Sequence, residues 1–120
     1  MSDSDQQRAQ RYRVGGLRVV YDTGDGFWSA EVVDVSESGL FVETTHELAA
    51  GTRVTLLPED RSDAELPFEV LAEVVRTNVY DLDNHFDRTP GIAFRWIDIT
   101  DAERELVRNY LRGRGRPIAT

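Results

Sequence analysis

The feature that most constrains this chain is a change of period near its end. From Leu17 to Ile99 the apolar residues fall in six short runs, each of five to ten residues, separated by turn residues. They are "LRVVY" (Leu17 to Tyr21), "FWSAEVVDV" (Phe27 to Val35), "LFVET" (Leu40 to Thr44), "TRVTLL" (Thr52 to Leu57), "FEVLAEVVRT" (Phe68 to Thr77) and "GIAFRWIDI" (Gly91 to Ile99). The fifth is long enough for a helix, but alternation decides for a strand. Phe68, Val70, Ala72 and Val74 point one way and Glu69 and Glu73 the other, with β-branched residues frequent. The sixth places Ile92, Phe94 and Trp96 on one face and Arg95 on the other. Six short strands with turns between them predict a mainly β domain, a barrel or sandwich that closes its own edges.

After Ile99 the spacing becomes helical. In "TDAERELVRNYLRG" Thr100 and Glu103 form a capping box, and Asp101 and Glu103 favour the positive end of the helix dipole. Leu106, Val107, Tyr110 and Leu111 make one apolar stripe. A helix over 101–112, ended by Gly113, is expected to pack on the barrel by that stripe. The expected organisation is a flexible arm at 1–16, one domain at 17–112 and an unstructured tail at 113–120. At 120 residues the chain has room for one core but not two.

Composition removes several functions. Cysteine is absent, which excludes disulfides, thiolate nucleophiles and cysteine zinc sites. Lysine is absent too, so neither a Schiff base nor a phosphate-loop lysine is available, and no nucleophile-elbow or dinucleotide-binding glycine motif occurs. His46 and His85 stand far apart with no ligand spacing, and the acidic stretch with Asp81, Asp83 and Asp87 fails as a calcium loop. That loop would need an oxygen ligand at His85 and a glycine at Phe86. The chain is therefore read as no enzyme, with no metal and no cofactor. No apolar run approaches a membrane span and the polar start lacks a signal-peptide core, so a cytoplasmic protein without a membrane partner is expected. A net charge of −8 disfavours nucleic acid as a partner, despite Arg112, Arg114 and Arg116 near the end.

Two features remain. "DVSESG" spaces Asp34, Ser36 and Gly39 between the second and third runs. One reading is a turn, since Asp and Ser bond nearby backbone and Gly takes a positive φ. The other is half of a ligand site, whose second half is the arm with Arg8, Arg11 and Arg13 hinged at Gly15 and Gly16. A guanidinium fork bonds two phosphate oxygens or O6 and N7 of guanine, and a carboxylate accepts from guanine N1 and N2. Together with the Ser hydroxyl and close backbone at Gly, these groups describe a guanine nucleotide site.

On those residues the chain resembles the PilZ domain family. "DVSESG" matches its D/N-x-S-x-x-G motif. "GLFVET" followed by "GTRVTL", and "EVLAEVVRTN" and "PGIAFRWIDIT" before the helix "DAERELVRNYL", are similar to the rest of the family pattern. The resemblance implies a six-stranded antiparallel β-barrel with a C-terminal α-helix and a site for cyclic di-GMP at Arg8, Arg11, Arg13, Asp34, Ser36 and Gly39. It also implies a protein partner in signalling or motility. The family's R-x-x-x-R arm is broken here: four places after Arg8 stands Tyr12, four after Arg11 stands Gly15, and four before Arg13 stands Ala9. By resemblance Arg13 takes the place of the second arm arginine, Arg8 is the displaced first one, and Arg11 is its substitute. Two functions stay open, a cyclic di-GMP receptor and an adaptor that works by protein contact without nucleotide.

Overall fold

Strand alternation and the helical stripe both find their places in three dimensions. The structure, a computed structural model, describes residues 10–59, 69–78 and 89–118. A two-residue strand β1 (Tyr12–Arg13) precedes six longer ones: β2 (Arg18–Asp22), β3 (Phe27–Ser36), β4 (Gly39–Glu43), β5 (Arg53–Pro58), β6 (Val70–Asn78) and β7 (Gly91–Trp96). The helix α1 (Asp101–Arg114) follows, and a two-residue strand β8 (Arg116–Pro117) closes the series. The six longer strands pair antiparallel in the order β2, β5, β6, β7, β4, β3, and β3 pairs back onto β2. The result is the expected closed barrel, which leaves none of the six with a bare edge.

Its interior is filled by alternating residues of the strands, with the parity of β3 changing at a bulge. Val19 and Tyr21 on β2, Val54 and Leu56 on β5, and Val70, Ala72 and Val74 on β6 are buried, with Ile92 and Phe94 on β7. Each such aliphatic or aromatic side chain removed from water contributes about 1.5–3 kcal/mol. Tyr21 is wholly enclosed, and burial raises its pKa; its hydroxyl meets His46 Nδ1 at 3.0 Å.

The helix starts as its sequence predicts. Thr100 Oγ1 accepts from the Glu103 amide at 3.0 Å, and Glu103 Oε1 accepts from the Thr100 amide at 2.8 Å. Val107, Tyr110 and Leu111 are buried, but Leu106, expected in the same stripe, stays 43% exposed. The helix also continues through Gly113 to Arg114, two residues beyond expectation. An interior glycine costs about 1 kcal/mol relative to alanine but does not forbid a helix. The terminating residue is Gly115, whose amide donates to Leu111 O at 2.9 Å. A Cβ there would lie 2.9 Å from Tyr12 Cβ, so glycine is needed for the arm to pass this close.

Arm and tail, read from sequence as unstructured ends, meet each other. Tyr12 pairs with Val35 on one side and with Pro117 on the other, Arg13 pairs with Arg116, and the Ile118 amide donates to Arg11 O at 3.0 Å. A two-residue strand has no period for a sequence to display, which is why this ribbon is invisible in the residue pattern. Residues 1–9, and with them Arg8, lie outside the described residues, as do Asp81, Asp83, His85, Phe86 and Asp87.

Candidate functional site at the β3–β4 turn

The motif residues divide between building the turn and facing out of it. Ser36 ends β3 and Gly39 begins β4, so the connection is the two residues Glu37 and Ser38. Ser36 is fully buried, and its hydroxyl accepts from the Ser38 amide at 3.1 Å and shares a hydrogen bond with Ser38 Oγ at 2.9 Å. Gly39 does not serve through a positive φ: among the described residues that conformation falls at Gly16, Gly24, Gly51 and Asp98. A Cβ on Gly39 would instead lie 2.0 Å from the Phe94 carbonyl oxygen and 2.9 Å from Arg95 Cα, so the glycine lets β7 approach β4. Ser36 and Gly39 thus secure the backbone rather than present groups to solvent.

Asp34 is the motif residue that faces outward. It shares parity with Ala30 and Val32, which are buried, and strict alternation would aim it into the core. A β-bulge between Val32 and Asp34 turns it out, after which Val35 resumes the inward face. Its side chain is 16% exposed and receives Arg11, whose Nε donates to Oδ1 at 2.7 Å while Nη2 bonds the same oxygen. Oδ2 accepts no hydrogen bond among the described residues. The structure therefore places Arg11, not Arg13, on the carboxylate. Arg13 is exposed, opposes Arg116, and forms no ion pair among the described residues.

The turn is also tied to the helix. Arg108 grips Glu37 with two parallel bonds, Nε to Oε2 at 3.1 Å and Nη2 to Oε1 at 3.2 Å, and Arg104 Nη1 donates to Glu37 O at 3.2 Å. The Arg108 hydrogen bond holds the Glu37 pKa below its ordinary value, against a smaller opposing push from burial.

Beside Asp34 a groove of about 680 Å³ runs over the outer face of the barrel, lined by Arg11, Asp34, Phe41, Arg76, Asn78 and Thr89, with Val33. Arg76 and Asn78 were not singled out from the sequence. Arg76 shares parity with the buried Val74, and only a second bulge, between Val74 and Arg76, brings it to the surface. Nothing in the run "EVVRTN" announces that bulge. Among the described residues no group of three or more acidic, His or Cys side chains stands ready for a metal ion. No helix among them is long and apolar enough to cross a membrane.

A family model for the PilZ domain matches residues 5–113. Among solved structures, the fold is similar to the PilZ domain with c-di-GMP of YcgR from Escherichia coli, with a TM-score of 0.62 at 15% identity over 90% of this chain and 96% of that one. It is also similar to the Bacillus subtilis inhibitor of motility MotI/DgrA, with a TM-score of 0.59 at 15% identity over 88% of this chain and 53% of that longer one. At such identity the likeness is one of fold. No curated protein matches the chain in sequence.

Proposed function

The chain belongs to the PilZ domain family, and from that premise we propose that it is a non-enzymatic receptor for cyclic di-GMP that relays the signal to a protein partner. The observation that carries this reading is Arg11 on Asp34 at the mouth of the outer groove, with Oδ2 of the carboxylate accepting no hydrogen bond among the described residues. A guanine presents N1–H and N2–H to that carboxylate, and the Arg11 fork swings onto O6 and N7 or onto a phosphate. The family's first arm arginine is displaced here, yet the Asp34 carboxylate already has the Arg11 guanidinium in place.

The existing ion pair does not block a ligand. The Arg11 side chain is 43% exposed and that of Asp34 16%, and a charged hydrogen bond of this kind is worth about 1.5–3 kcal/mol. Micromolar binding supplies about 8 kcal/mol, so opening the pair consumes only part of it. The signal leaves by two routes: the arm is paired with the tail through β1 and β8, and the turn is held to α1 through Glu37 and Arg108. A nucleotide that repositions Arg11 biases the ribbon between its docked and released states by its differential affinity for them. A partner in motility is suggested by the inhibitor of motility among the structural neighbours.

Calorimetric titration with cyclic di-GMP tests the proposal. Saturable binding is expected, with Arg11→Ala and Asp34→Ala each weakening it at least tenfold and Arg13→Ala leaving it within about twofold, since one lost charged hydrogen bond is worth about 1.5–3 kcal/mol. Unchanged affinity in both of the first two variants refutes the assigned site.

A second reading has its own support. Arg11 already neutralises Asp34 within the chain, and Phe27 projects 73% exposed beside Trp28 at 38%. An adaptor that binds no nucleotide would use such aromatics as anchors for its partner. Absence of any heat of binding at high cyclic di-GMP concentration favours this reading over the first.

A further inference from the structure

The strand register aligns Asp34 with a second guanidinium at the opposite end of the groove. Asp34 pairs with Phe41, Phe41 with Ala93, and Ala93 with Arg76, so one row of residues crosses β3, β4, β7 and β6. Side chains directly opposite each other in a sheet project from the same face. The neighbouring row, Val35, Leu40, Phe94 and Val74, is buried in the core, which puts the Asp34–Arg76 row on the outer face. Both ends of that outer row directly follow a β-bulge, and in each case the bulge turns outward a residue whose parity would have sent it inward.

Resting on the reading of this groove as a cyclic di-GMP site, we infer that Arg76 is a nucleotide-binding residue, a guanidinium at the far end of the groove that acts beside Arg11. Three strand intervals of about 4.8 Å separate the two ends, about 14 Å along the row before the barrel's curvature shortens it. Arginine side chains reach inward from both ends, from Arg11 beside Asp34 and from Arg76 on β6. Cyclic di-GMP has two guanines and two phosphates, so it can offer an acceptor or a stacking face to a guanidinium at each end. Arg76 forms no ion pair or hydrogen bond with any described residue, so no partner among them has to be displaced. Asn78, two residues on and lining the same groove, offers an amide for a base edge or a phosphate. Phe41, which lines the groove between the two polar ends, makes its floor apolar there.

The test is titration of the full chain with cyclic di-GMP and with GMP, comparing wild type, Arg76→Ala and Arg76→Lys. Arg76→Ala is expected to weaken cyclic di-GMP at least tenfold. GMP, which has one base and one phosphate and is expected to sit at the Asp34 end, should lose less than twofold. Arg76→Lys keeps the charge without the fork and should fall between. Wild-type binding with Arg76→Ala unchanged overturns this inference and leaves the Asp34 site standing, whereas no wild-type binding overturns both. If Arg76→Ala shifts the unfolding midpoint, Arg76→Gln, which retains the stem, carries the same comparison.

Discussion

Each of the six barrel strands pairs on both sides and contributes inward side chains to a shared core, while β1 and β8 are two residues long and carry no buried side chain. The ribbon they form is attached to the barrel by the pairing of Tyr12 with Val35 and by Arg11 on Asp34, and within itself by bonds such as Gln10 Nε2 to Ile118 O at 3.1 Å. Ordering a residue costs about 1–2 kcal/mol of backbone entropy. The barrel offsets that cost with burial; the ribbon, in which Tyr12 alone packs partly buried against the core, offsets it mainly with hydrogen bonds worth about 0.5–1.5 kcal/mol each. Close to balance, the ribbon is the part of the molecule that a ligand can move, and the barrel is the part against which it moves.

The contrast is broken most severely at Gly39. Replacing it by alanine sets a methyl group against the Phe94 carbonyl and forces β7 away from β4. Loss of about 3 kcal/mol is expected in urea denaturation; an unchanged midpoint would show that the close approach is not needed. Ending the chain after Gly115 removes β8 and should lower global stability by no more than about 1 kcal/mol. Amide hydrogen exchange at residues 11–13 should nevertheless accelerate while β2 to β7 keep their protection. Uniform acceleration throughout the barrel would mean that the ribbon is integral to it.

The smallest expected effect is at Glu37, where an exposed pair fastens the helix to the turn. Its folded pKa lies below the ordinary 4.5, so the stabilisation is fully present above that pH and is lost as pH falls through the lowered value. Glu37→Gln should flatten this acid limb and cost at most about 1 kcal/mol at neutral pH. An acid profile identical to wild type would show that Arg108 contributes nothing there.

Much of this architecture was legible in the residues, because burial of one strand face imposes period two and burial of one helix stripe imposes 3.6. The capping box at Thr100 and Glu103 is as local as a structural signal can be, and it forms as read. The candidate site was legible only in part. Asp34, Ser36 and Gly39 were identified together, but their division of labour was not, since Gly39 acts through β7, more than fifty residues away in sequence. Arg13 looked the better arm residue by its place before the first strand, yet β1 pairing sets Arg11 on the carboxylate.

Sequence by itself determined the six strands of the barrel, the helix start, the absence of cysteine and lysine chemistry, and the carboxylate at the turn, all of which depend on residue type or on contacts within a few positions. Tertiary structure alone decided the pairing of arm with tail, the purpose of Gly39 and the outward aim of Arg76. A bulge or a close strand approach is settled by what the neighbouring strand presents, and a one-residue shift reverses every face that simple alternation assigns.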